Sequence, residues 1–93
     1  MTELTVSCHT PDNFDHDRRI QGIGGVNGFT PWYHPIDNVI RNIESGFHSY
    51  YIGQGLLRVH IFVKTHHSSG RKYITTDPDG HMQNNILSLP YCP

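Results

Sequence analysis

The sequence lacks a hydrophobic run long enough for a transmembrane helix, which takes about 20 predominantly apolar residues. Its first residues, Met1, Thr2 and Glu3, are polar and do not resemble a signal peptide. It also lacks a charge excess: the net charge is −1 at pH 7 with the histidines neutral, so no overall field would draw the protein to nucleic acid or to a membrane surface. We therefore expect a cytoplasmic protein with no membrane partner.

Cysteine is scarce, and the two residues, Cys8 and Cys92, lie near opposite ends of the sequence. Because disulfides are rare in cytoplasmic proteins, we expect two reduced thiols rather than a disulfide. If the tail packs beside the first strand, the two cysteines could still approach each other.

Histidine, in contrast, is abundant, with eight residues that raise the question of a metal site. Zn²⁺ needs three or four converging ligands, and the candidates are Cys8, His9, His66, His67, His81 and Cys92. No C-x-x-C or H-x-x-x-H spacing occurs, and Cys8 and His9 are adjacent on a predicted strand, so they point to opposite faces. We predict no metal, no cofactor and no catalytic residue. The alternative is an enzyme or metal site built from Cys8, Cys92 and histidines.

One stretch, residues 35–45, has a helical period. Its apolar residues fall at positions i, i+3, i+4 and i+7, and they are Ile36, Val39, Ile40 and Ile43. Pro35 suits the first turn, and Gly46 suits a left-handed helix end. After that end, Phe47 is expected to fold back onto the last turn. A helix this short needs a sheet to cover its apolar stripe.

Five other segments have the patterns of β-strands, at residues 4–9, 18–23, 48–52, 57–65 and 71–76. In the first, Leu4, Val6 and Cys8 share the inner face. Short loops join consecutive strands, which favours antiparallel pairing. The sequence therefore predicts one α+β domain over residues 1–93, an antiparallel sheet of about five strands with one helix packed on one face (β-β-α-β-β-β). Residues 83–93 form an irregular tail, anchored by Ile86, Leu87 and Leu89.

Two segments are typical of turns rather than of ligand loops. The glycine-rich residues 22–28 lack the glycine that a dinucleotide-binding loop would need at Asn27, so we expect a flexible turn there. The segment Asp77-Pro78-Asp79-Gly80 predicts a tight turn, because an EF-hand beginning at Asp77 would place Ser88 where a bidentate glutamate is required.

Several motifs are similar to those of a known family. They are SGRKYITT at residues 69–76, Asp79-Gly80, and NNILSLP at 84–90 followed by Cys92, with looser matches at 11–13, 17–20, 39–40 and 43–46. In these segments the chain resembles the small bacterial family known as domain of unknown function 3892. That family has no established activity, so the resemblance implies no substrate, cofactor or site residue.

The feature most informative about function is an acid-free basic segment. Residues 45–76 contain no Asp or Glu, and their cations are Arg58, Lys64, Arg71 and Lys72. On the predicted strand 57–65, the core-facing residues Leu57, Val59, Ile61 and Val63 alternate with Arg58, His60, Phe62 and Lys64.

We predict a small binding module that uses this open basic and aromatic face, with binding residues Arg58, His60, Phe62, Arg71 and Lys72. A protein partner or a second copy of the chain is favoured as the occupant. Single-stranded nucleic acid is an alternative, since aromatic rings stack on bases and cations hold phosphates.

Overall fold

The computed structural model describes residues 2–53, 56, 58–76 and 85–93. Within them the chain forms eight short strands, one α-helix and one 3-10 helix. The strands are β1 (Thr2–Val6), β2 (Cys8–Pro11), β3 (Ile20–Asn27), β4 (Thr30–Pro35), β5 (His48–Ile52), β6 (Val59–His60), β7 (Phe62–Thr65) and β8 (Lys72–Thr75); the helix α1 is Ile36–Ser45 and the 3-10 helix is Asn85–Ser88. The predicted α+β class is confirmed.

The strands form three small sheets, with orders β1-β5-β6, β2-β3-β4 and β7-β8. All pairs are antiparallel except β1 and β5, which run parallel with Thr2 opposite His48 and Val6 opposite Ile52. Eight strands form where about five were predicted, because two predicted strands change partner part-way along and one strand, β4, was not predicted.

The first change of partner lies at Ser7, inside the predicted strand 4–9. Leu4 and Val6 are buried as predicted, and β1 ends at Val6. The Ser7 N–H then donates to the Gly24 carbonyl at 2.9 Å, and β2 continues in another sheet. The alternation of faces restarts there, so His9, expected on the exposed face, is buried.

The second change of partner lies at Ile61, inside the predicted strand 57–65. Strand β6 pairs with β5, whereas β7 pairs with β8. Between them, the Ile61 N–H donates to the Tyr50 carbonyl at 2.9 Å, and the Ile61 side chain is fully buried. The prediction that Ile61 faces the core is confirmed.

The helix packs on the sheets through its predicted apolar stripe. Ile36, Val39 and Ile40 are buried, and Ile43 packs against the same core. The helix lies against β3 and β5 and touches β4, β7 and β8. The remaining buried hydrophobic residues of this core are Leu4, Val6, Ile20, Ile23, Tyr50, Ile61, Ile74 and Ile86.

Both ends of the helix follow from the sequence. Pro35 precedes it in an extended conformation, and Gly46 ends it with a left-handed φ of 77°. The Phe47 N–H donates to the Asn42 carbonyl and the Gly46 N–H to the Ile43 carbonyl, which is the bonding of a Schellman motif. Phe47 does not fold back, however, and its side chain is exposed beside His48.

The glycine-rich segment is a strand and not the expected flexible turn. Strand β3 runs to Asn27 and pairs with β4, a strand that the sequence analysis did not predict. Gly25 is buried, and a Cβ there would collide with the Thr5 carbonyl of β1. The absence of a side chain therefore allows two strands from different sheets to approach closely.

The carboxyl-terminal tail is fixed to β2. Cys8 and Cys92 form a disulfide with their Cα atoms 4.9 Å apart, so the prediction of reduced thiols was wrong. Backbone bonds hold the tail at the same place, from His9 N–H to the Pro90 carbonyl and from Cys92 N–H to the His9 carbonyl. Ile86 is a buried anchor as predicted, within the 3-10 helix that replaces part of the irregular tail.

The predicted turn at residues 77–80, and His81, lie outside the described residues. Among the described residues, no helix has both the length and the apolar character needed to cross a membrane.

Candidate functional site

Strand β5 carries two neighbouring tyrosines that point in opposite directions. Tyr50 is fully buried in the core, whereas Tyr51 is half-buried and lies directly opposite His60 of β6. Cross-strand partners share one face of a sheet, so Tyr51 and His60 both lie on the face turned away from the core. The row of side chains that continues from them we call the ring strip: Arg58, Tyr51, His60, Phe62 and Lys64.

The rings of the strip contact one another in sequence. The Tyr51 and His60 ring centres are 5.0 Å apart, and the His60 and Phe62 rings meet edge to face at 4.6 Å. The Lys64 ammonium lies 5.9 Å from the centre of the Phe62 ring. The strip is thus a continuous aromatic row with a cation at each end.

Arg58, at one end of the strip, is already engaged twice. Its guanidinium lies 3.9 Å from the centre of the Tyr51 ring and donates to both carboxylate oxygens of Glu3, at 3.0 and 3.2 Å. The hydrogen bond from Arg58 lowers the pKa of the Glu3 carboxyl. The positive charge of Arg58 is therefore balanced by a carboxylate from β1.

Lys72, a predicted binding residue, lies on the other face of the β7–β8 hairpin. It is opposite Thr65 in the ladder and shares its face with Val63 and Ile74, whose side chains pack in or against the core. Its ammonium binds the Glu44 carboxylate of α1 at 2.7 Å. Lys72 is therefore separated from Phe62 by the hairpin itself.

Arg71, the other basic residue predicted from this hairpin, binds the loop that precedes β3. Its guanidinium donates to both Asp15 carboxylate oxygens, at 2.9 and 2.6 Å. This hydrogen bond lowers the pKa of the Asp15 carboxyl. The structure thus brings Arg58, His60 and Phe62 together and leaves Arg71 and Lys72 outside their row.

The cysteines of the alternative enzyme or metal site are joined to each other. A disulfide offers neither a thiolate ligand nor a thiolate nucleophile. Within the part of the chain that the structure describes, no group of three or more His, Cys, Asp or Glu residues could hold a metal ion.

A second cluster, which sequence reasoning missed, lies between β1, β4 and β5. There a cleft of about 510 Å³ brings together residues from the two ends of the β4–α1–β5 segment. We call it the histidine cleft, and its lining residues are Thr2, Leu4, Asn27, Thr30, Trp32, His34 and His48. The His34 and His48 rings stack with centres 5.7 Å apart, and Trp32 lies 4.9 Å from His34.

A partly buried hydrogen-bond chain fixes His34 at this cleft. The Asn42 side-chain amide donates to the Tyr50 hydroxyl oxygen at 2.9 Å, and that hydroxyl lies 2.8 Å from His34 Nδ1. All the groups are satisfied when the Tyr50 O–H donates to Nδ1, which assigns the His34 proton to Nε2. Burial lowers the His34 pKa, as does the neighbouring His48, and a neutral imidazole is the form that can accept this bond.

Two nitrogen atoms of the cleft residues have no hydrogen-bond partner among the residues that the structure describes. Trp32 Nε1 and His48 Nδ1 are both buried and unpaired in the structure. A buried polar group left without a partner costs about 1–3 kcal/mol. The sequence signal for this cluster was the alternation Trp32-x-His34 and His48-x-Tyr50, which places each pair on one face of a strand.

Comparison with known proteins identifies the family. The family model described as "Protein of unknown function (DUF3892)" matches residues 12–90. The chain belongs to the DUF3892 family. No curated protein and no solved structure matches it.

The DUF3892 match confirms the resemblance inferred from the sequence motifs. It contains β3 through the 3-10 helix, and with them the whole ring strip and most of the histidine cleft. Strand β1, Cys8 and Cys92 lie outside the matched residues. The DUF3892 description assigns no activity, so the function has to be argued from the two clusters themselves.

Proposed function

We propose that this DUF3892 protein is a small protein-binding module, and that its ring strip is the contact surface for a second copy of the chain. The observation that carries the proposal is the outward row Tyr51, His60 and Phe62, which is accompanied by both a guanidinium and a carboxylate. Tyrosine, phenylalanine and arginine are enriched in protein interfaces.

The pairing of charges favours a protein over a polyanion. Arg58 is bound to Glu3, and its guanidinium covers one face of the Tyr51 ring on which a base would otherwise stack. Arg71 and Lys72 are bound to Asp15 and Glu44, away from the rings. A phosphate backbone would have to displace these carboxylates, whereas a protein surface can share them.

The charges beside the ring strip are complementary to those of a second copy of the chain. A two-fold interface is self-complementary, because each residue that a patch presents meets the same patch on the partner. Glu3 and Arg58 lie side by side. Across such an axis, Glu3 of one copy could therefore bind Arg58 of the other copy, and Arg58 of the first could bind Glu3 of the second. The net charge of −1 adds little repulsion between two copies.

The test is sedimentation velocity over a concentration series, with circular dichroism as the check on folding. We expect the wild type to dimerise and the double variant Phe62→Ser/Arg58→Ser to stay folded and monomeric. The matched control, Arg71→Ser/Lys72→Ser, removes two cations outside the strip and should dimerise like the wild type.

Three results would contradict the proposal. They are a wild type that stays monomeric at every concentration, a strip variant that still dimerises, and a strip variant that loses its fold. The last would mean that the strip is core rather than contact surface.

Single-stranded nucleic acid is the second candidate, and Lys64 is the observation that favours it. Unlike Arg58, Lys64 forms no ion pair with any residue that the structure describes, and it lies next to the Phe62 ring. Retention on a polyanion column that decreases steeply with salt, and that Lys64→Ser abolishes, would support this candidate.

The cytoplasmic location stays a proposal of its own, and the disulfide is the observation that argues against it. Labelling of thiols in intact cells, before lysis, tests it. Two labelled cysteines per chain would show that the Cys8–Cys92 disulfide is open in the cell, as a reducing cytoplasm requires. No labelling would show that the disulfide is closed and would contradict the cytoplasmic location.

A further inference from the structure

The histidine cleft has the size and walls of a small-molecule site. Its volume of about 510 Å³ falls within the range of about 300–1,000 Å³ that is usual for ligand pockets. Leu4 and the Trp32 ring supply apolar walls, while Asn27 and Thr30 add polar groups. This combination of apolar walls and a few polar groups is typical of sites for small organic molecules.

The unpaired nitrogens define what such a molecule must carry. The indole Nε1–H of Trp32 can only donate a hydrogen bond, so its missing partner has to be an acceptor. His34 accepts from Tyr50 through Nδ1, and its remaining group is therefore the Nε2–H donor. His48 Nδ1 is the second unpaired nitrogen, and it can also donate.

The described residues that line the cleft include no carboxylate that would repel an anion. The nearest carboxylate along β1, that of Glu3, is turned to Arg58 on the ring strip. Imidazoles are the ionisable groups at this place, and they carry either no charge or a positive one.

We propose that the histidine cleft binds a small organic carboxylate, whose oxygens accept hydrogen bonds from Trp32 Nε1 and His48 Nδ1. The apolar walls select an organic anion over an inorganic one. Both nitrogens are covered by protein, so binding requires a side-chain rearrangement at the Trp32 or His48 ring. This inference does not depend on the ring strip, which lies on the other face of β5.

The test uses the fact that Trp32 is the only tryptophan in the chain. A ¹H–¹⁵N correlation spectrum therefore contains a single indole resonance, which reports directly on Nε1–H. Benzoate is the probe, and benzyl alcohol is its uncharged counterpart. We expect benzoate to move this resonance in a saturable way and benzyl alcohol to leave it nearly unchanged.

Variants at the second nitrogen and outside the cleft complete the test. His48→Phe keeps a ring but removes the donor, and we expect it to weaken benzoate binding about tenfold, the loss that follows from one charge-assisted hydrogen bond. His67→Phe changes an exposed histidine of the β7–β8 loop and should bind benzoate like the wild type. If His48→Phe does not fold, His48→Gln replaces it, and a smaller loss of affinity is expected because the amide can still donate.

The outcomes that would overturn the inference are distinct. Benzoate that leaves the indole resonance unmoved would exclude the site. An equal response to benzyl alcohol would show that the site does not recognise the negative charge. Unchanged benzoate affinity in the folded His48 variants would show that His48 is not part of the site.

Discussion

The ring strip and the histidine cleft lie on opposite faces of the same strand, β5, and they are built from similar residues. Tyr51 joins His60 and Phe62 on one side, while His48 and Tyr50 meet Trp32 and His34 on the other. In the strip, the rings contact each other and Arg58 binds the Glu3 carboxylate. The cleft differs, since two of its nitrogen atoms have no hydrogen-bond partner in the described part of the chain.

This difference indicates how strongly substitutions in each cluster should change the stability of the fold. Tyr50 is buried, as are the Trp32 Nε1 and His48 Nδ1 atoms of the cleft, so each hydrogen bond made or missing at these groups changes the stability of the fold. The side chains of the strip are more exposed, and solvent screens their charges. Substitutions on the two faces should therefore have very different effects.

The largest expected difference is between Ile61 and Phe62, neighbours that face opposite sides. Ile61→Ala leaves a cavity in the fully buried core and should lower the free energy of unfolding by about 2–5 kcal/mol. Phe62→Ala should cost much less, because its ring is only half-buried. Urea unfolding of both variants measures the difference, and equal losses would show that the two faces are alike.

The next comparison removes one hydroxyl from each neighbouring tyrosine. Tyr50→Phe leaves His34 Nδ1 and the Asn42 amide without their shared partner, so we expect a loss of about 1–3 kcal/mol. Tyr51→Phe keeps the ring beside His60 and Arg58 and removes only a hydrogen bond to the exposed Glu3 carboxylate, so it should be close to neutral. A Tyr50→Phe variant as stable as the wild type would mean that the hydrogen-bond chain contributes nothing to the fold.

The pH dependence of stability should trace to the cleft side. The His34 pKa is below its ordinary value of 6.5 because of burial and the neighbouring His48, so the folded state binds this proton less readily than the unfolded state. The contribution of His34 is thus fully present above pH 6.5 and decreases as the pH falls through the pKa of the folded state. We expect lower stability at about pH 5.5 than at about pH 7.5.

His9, on β2, adds to the same slope, because burial lowers its pKa as well. The informative quantity is therefore the difference between the wild type and His34→Gln, whose slope should be shallower. His67→Gln, in an exposed loop, serves as the matched control. Identical slopes for all three proteins would contradict the assignment of a neutral His34.

The smallest effect is expected for the ion pair of the strip. Arg58 and Glu3 are exposed to 41% and 53%, so removing their attraction should change the stability of the monomer little. A double-mutant cycle with Arg58→Met and Glu3→Gln measures the coupling. A large coupling energy in the monomer would place the pair in the fold rather than in a contact surface.

The parts of the fold that sequence could predict are those with local periodicity. The stripe of Ile36, Val39 and Ile40 and the inward position of Ile61 follow from spacing along one element. The changes of partner at Ser7 and Ile61 leave no such pattern, because they depend on which distant strand is nearby. The disulfide was missed for another reason: the expected compartment decided the prediction, and the approach of tail and β2 was left open.

The candidate site was predictable to a similar degree. Alternation placed Arg58, His60 and Phe62 together on the outward face, as the structure has them. Charge alone could not show that Arg71 and Lys72 would bind Asp15 and Glu44, since those carboxylates come from other elements. The cleft is formed by two strands that the whole helix separates in the sequence. Neither the Trp32-x-His34 pattern nor the His48-x-Tyr50 pattern predicts that the two pairs lie next to each other.

The parallel pairing of β1 with β5 has a consequence for how the molecule is made. Thr2 and His48, which face each other in the ladder, are 46 positions apart, and all of β2, β3, β4 and α1 lies between them. During synthesis, β1 leaves the ribosome long before its partner strand β5 has been made. Until then, its backbone groups have no strand to pair with. A chaperone or a transient contact that shields those five residues would therefore act on the nascent chain rather than on the finished protein.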